Sequence, residues 1–157
     1  MKEKILEAFR ELGFKLEEEE GMGYCFNYEG LNLLYMYNEN DEEFLNIALP
    51  GIVDVEEDKM LQICALLEKI NSTLKYIKAY MLGNSVWLFY ERELFGEEDL
   101  MTVISRMILH LEAGLVFARK AMAEIEETMA NDSSADDTAE SAEEIVTEEI
   151  ADDEDNE

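Results

Sequence analysis

The chain has 157 residues, of which 39 are Asp or Glu and 12 are Lys or Arg, so its formal net charge is −27 at pH 7. Phosphate backbones and anionic lipid headgroups repel so acidic a surface, because approach costs Coulomb energy and releases no counterions. We therefore expect neither nucleic acid nor a membrane as a partner, and we predict no membrane-spanning segment.

The acidic residues are concentrated at the C-terminal end. Residues 131–157 contain 13 acidic residues and no basic or aromatic one. Such a segment has too little apolar surface to offset the entropy of ordering its backbone, so we predict a disordered acidic tail. A short helix capped by Ser141 is the alternative. Residues 1–130 are numerous enough for one hydrophobic core and form the predicted folded domain.

The first part of the domain is predicted to be one helix followed by three strands. Apolar residues at helical spacing predict helix one over residues 2–12, and Gly13 ends it. We interpret the charged segment 17–20 as a turn. Pro50 and Gly51 close a predicted antiparallel meander made of three apolar runs, GYCFNY, LNLLYMY and EFLNIAL.

A second helix and a second hairpin follow. Asp54 and Glu57 have the spacing of a capping box and predict the start of helix two. Gly83-Asn84 predicts a tight turn between strands four and five. Acidic residues then complement the dipole of a last helix that is predicted to run from Glu97 to about residue 129. The order of elements indicates an α+β fold in which helices flank a mainly antiparallel, twisted sheet.

The last helix is too apolar to have only one buried face. One stripe of apolar residues alternates by three and four positions: Met101, Ile104, Ile108, Leu111, Leu115, Ala118, Met122, Ile125 and Met129. A second stripe lies about 100° around the helix axis. It consists of Leu100, Val103, Met107, His110, Gly114, Phe117 and Ala121. Either another helix of the same domain or a second protein must cover this second stripe.

The second hairpin is predicted to have an unusual outer face. Its register places Ile77, Ala79 and Met81 on the core side, opposite Tyr90, Leu88 and Val86. The other side mixes aromatic and charged residues in three cross-strand pairs: Tyr80 with Trp87, Lys78 with Phe89, and Tyr76 with Glu91. We expect this face to be half solvated or covered by a partner.

No catalytic, cofactor or metal site is predicted. His110 is the only histidine, and its neighbours at helical spacing include no carboxylate or thiol. Cys25 and Cys64 lack the spacing of a metal site, and we interpret them as two reduced, buried thiols. The N-terminal segment has no uninterrupted apolar run like that of a signal peptide, so we expect a cytoplasmic protein.

Four segments carry a family resemblance: LGF after helix one, YCFNYEGLNLLYMY, EFLNIALPG, and IKAYMLGNSVWLFYERELF before the last helix. On these, residues 1 to about 128 resemble the YbjN-like family of small bacterial proteins, whose fold is that of type III secretion chaperones. The resemblance implies a helix-flanked antiparallel sheet, a homodimer, and no catalytic residue to carry over. It also implies that apolar patches on the sheet and helices bind segments of other proteins.

We therefore expect a non-enzymatic, chaperone-like or regulatory module that binds another polypeptide through apolar surfaces and forms a homodimer. The alternative is a structural or assembly protein that oligomerises through its last helix and has no client. The predicted binding residues lie on the outer face of the second hairpin and on the second stripe: Tyr76, Tyr80, Trp87, Phe89, Val103, Met107, His110, Gly114, Phe117 and Ala121.

Overall fold

The computed structural model describes the backbone of residues 1–151 and the side chains of residues 1–132. The elements of this part of the chain, in order, are α1 (Lys2–Glu11), β1 (Glu17–Glu19), β2 (Gly23–Tyr28), β3 (Leu31–Met36), β4 (Phe44–Asp54), a 3₁₀ turn (Glu57–Lys59), α2 (Met60–Thr73), β5 (Ile77–Leu82), β6 (Ser85–Glu93) and α3 (Leu100–Ala151).

The six described strands form one sheet in the order β1-β2-β3-β4-β6-β5, and every neighbouring pair is antiparallel. One face carries the main core, in which Phe9 of α1, Ile63 of α2 and Ile104 of α3 are almost fully buried together with the inward residues of the sheet. Three helices on one face of an antiparallel sheet confirm the predicted α+β fold.

The predicted tight turn at Gly83-Asn84 has the expected backbone, and the first hairpin has a tight turn of its own. Gly83 has a φ of +61°, and the strands on either side pair with the predicted register, in which Ala79 lies opposite Leu88 and Tyr80 opposite Trp87. In the first hairpin, Glu29 and Gly30 both have positive φ, as a two-residue turn that continues the strand twist requires.

The predicted turn at residues 17–20 is wrong, because Glu17–Glu19 form β1 and pair with β2. Every residue of this edge strand is exposed. An edge strand with no buried face needs no apolar alternation, and therefore nothing in its sequence distinguishes it from a solvated turn.

The predicted end of the third meander strand is also wrong. Pro50 and Gly51 lie inside β4, where the pairing with β6 shifts register between Leu49 and Val53. Such a bulge leaves residues outside the hydrogen-bonded ladder, so a proline without an N–H is tolerated there.

The predicted capping box at Asp54 is wrong as well. Asp54 pairs with Ser85 in the sheet, and α2 begins only at Met60, after the 3₁₀ turn and without a side-chain cap. The last helix begins at Leu100 and not at the predicted Glu97. Of the predicted acidic residues, Asp99 caps α3: its carboxylate accepts hydrogen bonds from the backbone N–H and the hydroxyl of Thr102.

The predicted boundary between domain and acidic tail, at residue 130, falls within α3. The backbone of α3 extends to Ala151, whereas the side chains beyond Asp132 and all of residues 152–157 lie outside the described part of the chain. The division into a folded domain and a disordered tail therefore stays a prediction.

Candidate protein-binding surfaces

Most of the second stripe of α3 is covered by the chain itself. Val103, Met107 and Ala121 are buried, Met107 to 1% exposure, while Phe117 is half-buried. The helix contacts α1, α2 and strands β4, β5 and β6, and these elements together bury most of the two apolar stripes. Coverage of this stripe within the same domain therefore matches the structure, although at Gly114 the covering neighbour is the sheet and not another helix.

Gly114 marks a close approach of α3 to the sheet. A Cβ atom at this position would lie 3.3 Å from Cδ1 of Leu88 and 3.7 Å from Cγ1 of Ile77. Because glycine has no side chain, the helix backbone can rest directly on these two strand residues. Gly114 is thus a buried packing residue between α3 and strands β5 and β6.

Tyr76 does not join the outer face of the hairpin, so its predicted pairing with Glu91 is wrong. It precedes β5 and has a φ of +67°, a left-handed conformation that turns its side chain to the helix side of the sheet. There its ring stacks on Tyr90, with the centroids 5.6 Å apart, and meets His110 edge-on at 5.7 Å. Tyr76 and His110 are both exposed, and with Gly114 they line a shallow cavity of about 290 Å³.

The opposite face of the sheet has its own apolar cluster, to which no described helix residue contributes. We call it the open face: Cys25, Leu34, Met36, Ala48, Tyr80, Trp87 and Phe89. The ring of Tyr80 stacks flat on Phe89 with 4.0 Å between centroids, and Trp87 lies beside Phe89 at 6.0 Å. Phe89 is therefore fully buried, and the accessible aromatic surface belongs to Tyr80, which is 42% exposed, and to half-buried Trp87.

A polar group borders the open face. Glu91 accepts hydrogen bonds through Oε1 from Nδ2 of Asn46 at 3.0 Å and through Oε2 from Nζ of Lys78 at 2.6 Å. The hydrogen bond to Glu91 raises the pKa of Lys78, and burial raises the pKa of Tyr80. The remaining oxygen, Oδ1 of Asn46, is buried and has no hydrogen-bond partner, which is costly unless a further donor reaches it.

Asn46 and Glu91 also line a cavity of about 340 Å³ at the end of the open face. Its apolar lining includes Met22, Met36 and Phe44, and Asp41 adds a second carboxylate to its rim. The cavity thus combines an apolar wall, two acidic side chains and an unsatisfied acceptor. This site was not predicted from the sequence, because residues 38–43 have the pattern of a solvated turn and Asn46 is one polar position in a strand.

Both edges of the sheet are protected against a further strand. At the β5 edge, the side chain of Asn71 accepts a hydrogen bond from the N–H of Ala79 at 2.8 Å and donates one to its carbonyl at 2.9 Å. At the other edge, the three glutamates of β1 oppose the approach of any acidic strand. Because both edges disfavour a further strand, the open face is the candidate binding surface of the sheet.

The two cysteines differ from the prediction. Both are free, but Cys64 is exposed on α2, whereas Cys25 is half-buried at the open face. Burial raises the pKa of the Cys25 thiol, and the nearby carboxylates of Glu19 and Glu17 raise it further. Within residues whose side chains are described, no group of three or more His, Cys, Asp or Glu is placed to hold a metal ion.

Among the residues whose side chains are described, one segment, Leu100–Asp132 of α3, is long and apolar enough to cross a membrane by length and composition alone. The expectation that no segment reaches this threshold is therefore wrong. A third of its most apolar window is buried inside the protein, and a core helix of a soluble domain has the same composition. The absence of a membrane partner stays a prediction.

Two solved structures share this fold. YbjN from E. coli, described as a candidate transcription regulator, is 12% identical with a TM-score of 0.58, and the match covers 75% of this chain and 90% of YbjN. An uncharacterized protein from Methanothermobacter thermautotrophicus is 18% identical with a TM-score of 0.50, covering 81% of this chain and 97% of that protein. No family model and no curated protein sequence matches the chain. The resemblance to YbjN is thereby confirmed for the fold.

Proposed function

We propose that the chain is a non-enzymatic protein-binding module of the cytoplasm, regulatory or chaperone-like in role, and that its open face binds a segment of another polypeptide. The observation that carries this proposal is the apolar cluster on a sheet face that no described helix covers. The description of YbjN as a candidate transcription regulator agrees with a regulatory role.

The accessible rings of the open face supply the binding energy. Tyr80 and Trp87 form a flat aromatic surface over Phe89, and Met36 lies in the same cluster. Flat aromatic surface held by stacking loses little conformational entropy on binding, and aromatic residues dominate the energetics of protein interfaces. A helical segment that presents apolar side chains on one face matches this surface.

The cavity at the end of the open face selects a basic side chain. The stem of a lysine or arginine would pack against Met22, Met36 and Phe44, while its charged end would meet Asp41 and Glu91 and donate to Oδ1 of Asn46. The net charge of −27 also attracts cationic segments over longer distances. The proposed partner is therefore an amphipathic segment with apolar and basic residues.

The sole tryptophan of the chain, Trp87, lies in the open face and reports on binding directly. A designed amphipathic helix of leucine and lysine is titrated into the full chain, and an otherwise identical peptide with glutamate in place of lysine serves as comparison. We expect a saturable change in Trp87 fluorescence with the lysine peptide alone. Equal responses to both peptides, or none to either, would contradict the proposal.

Matched variants separate site binding from general attraction of a cation to an acidic protein. Glu91→Gln and Glu68→Gln each remove one negative charge, but Glu68 lies on the exposed side of α2. Loss of a charge-assisted hydrogen bond costs about 1.5 kcal/mol, or roughly tenfold in affinity. We expect this tenfold loss for Glu91→Gln and not for Glu68→Gln. We expect a similar loss of affinity for Tyr80→Ser and not for Leu61→Ser, which alters an exposed leucine of α2.

A second candidate function is an assembly protein that self-associates through its last helix and binds no client. Leu109 and Val116, which are 51% and 64% exposed on α3, favour it. In that case, Tyr80→Ser would leave every measurable association unchanged, whereas substitutions of Leu109 and Val116 would abolish it.

A further inference from the structure

The outward side of α3 carries apolar residues that the two predicted stripes do not include. Leu109, Val116 and Ala123 are spaced seven residues apart and are all exposed. Seven residues are nearly two helical turns, so the three side chains form one line along the helix. This line, the outer ridge of α3, lies on the helix side of the molecule, whereas the open face lies on the other side of the sheet.

We propose that the outer ridge of α3 binds the same ridge of a second copy of the chain, with the two helices antiparallel. In this arrangement Val116 meets the partner's Val116 at the centre. Leu109 lies against the partner's Ala123 on either side, so that the largest side chain of the ridge faces the smallest. The side chains of the ridge therefore match in size those of a second copy that runs in the opposite direction.

The charges beside the outer ridge support this orientation. Residues on the same flank face each other in an antiparallel pair of helices. On one flank Glu112 faces the partner's Arg119, and on the other Arg106 faces the partner's Glu127. Each of these acidic residues is therefore placed opposite a basic residue, and the two-fold symmetry repeats both pairs.

The acidic C-terminal residues disfavour the parallel alternative. Residues 131–157 carry 13 acidic residues and no basic one, so a parallel pair would place two such segments side by side. An antiparallel pair sends them to opposite ends of the assembly and also opposes the two helix dipoles. The occupant that fits the ridge is therefore a reversed second copy, and this inference does not depend on the proposed client.

Disulfide formation tests the geometry. In a chain carrying Cys25→Ser and Cys64→Ser, Val116→Cys should form a disulfide dimer on mild oxidation, because residue 116 faces itself. Leu109→Cys alone should not, because the two copies of residue 109 lie about 21 Å apart along the helix, far beyond the reach of a disulfide. A mixture of the Leu109→Cys and Ala123→Cys chains should form a mixed dimer.

Sedimentation equilibrium of the full chain tests the charge pairing. We expect a concentration-dependent dimer, weakened about tenfold or more by Glu112→Arg and restored when Arg119→Glu is added. Circular dichroism of each variant confirms that it is folded. A monomer at all concentrations, disulfide formation by Leu109→Cys with itself, or failure of the double variant to restore the dimer would overturn the proposal.

Discussion

Gly23 lies so close to Tyr35 on the neighbouring strand that a Cβ atom on Gly23 would be 2.0 Å from the carbonyl oxygen of Tyr35. Gly23 also has a φ of +140°, which side chains rarely allow. Strands β2 and β3 could accept a side chain here only by moving apart.

We therefore expect Gly23→Ala to destabilise the protein by at least about 3 kcal/mol, since it combines backbone strain with a steric overlap. Gly21→Ala is the matched control, because Gly21 also has a positive φ but a Cβ atom there would meet no other atom within 4 Å. Urea unfolding should show a loss of only about 1 kcal/mol for Gly21→Ala. Similar losses in the two variants would contradict the assignment of the close contact.

Asn71 replaces a neighbouring strand at the β5 edge, and its removal should expose that edge. We expect Asn71→Ala to cost about 1 to 3 kcal/mol and to increase aggregation at high concentration, because the N–H and carbonyl of Ala79 lose both partners. Ser72→Ala is the control, since the Ser72 hydroxyl donates only to Lys69 within α2. Urea unfolding and light scattering over time measure the two effects, and equal scattering by both variants would contradict the protective role.

The two acidic residues just before α3 should make stability depend on acid pH. Hydrogen bonds from Thr102 lower the pKa of Asp99. A hydrogen bond from the backbone N–H of Phe95 is the largest cause of the lowered pKa of Glu98. A carboxyl group whose pKa is lowered in the folded state stabilises that state fully at any pH above its unfolded pKa. This stabilisation is lost as the pH falls through the pKa of the folded state, hence below about pH 4.5.

Asp99→Ala should accordingly lower the melting temperature at pH 7, and its difference from the unmodified chain should shrink towards pH 3. Glu68→Ala, which removes an exposed carboxylate of α2, is the control and should change the melting temperature at pH 7 only slightly. A deficit for Asp99→Ala that stays constant from pH 7 to pH 3 would exclude the capping carboxylate as its cause.

Because the second stripe of α3 points inward, we expect substitution of Met107, which is 1% exposed, to lower the stability of the protein strongly. Met107→Ala should cost about 2 to 5 kcal/mol, as truncation of a core residue does. Leu61→Ala, at a residue 70% exposed on α2, should change the free energy of unfolding by less than about 0.5 kcal/mol. If Met107 instead lay in an interface between chains, its substitution would alter self-association more than unfolding.

Local patterns predicted most of the fold. The Gly83-Asn84 turn, the register from Ile77 to Val86 and the helix ended by Gly13 follow from backbone preferences that few residues satisfy. The errors lie where tertiary structure overrides such preferences. Pro50 is tolerated within a bulge, and β1 is an edge strand whose glutamates need no buried face.

The candidate surfaces were predictable only in part. The stack of Tyr80 and Trp87 with Phe89 follows from the hairpin register, whereas the position of Tyr76 depends on a left-handed backbone that no sequence pattern indicates in a tyrosine. The spacing of apolar residues showed that α3 has more than one buried stripe, but could not show which neighbour covers each one. The cavity at Asn46 is lined by residues that lie far apart in the sequence, so no local sequence pattern indicates it.

The pairing between β3 and β4 is short, which divides the sheet unequally. β3 meets β4 only from Leu34 to Met36, whereas β4 pairs with β6 along most of its length. We therefore expect strands β1 to β3 to separate as a cooperative unit at a lower free energy than global unfolding, with faster amide exchange than β4 and β6. Leu34 and Phe89 lie on opposite sides of this junction in the open face, so a ligand lying across both would hold the two halves together and slow the exchange of β2 and β3.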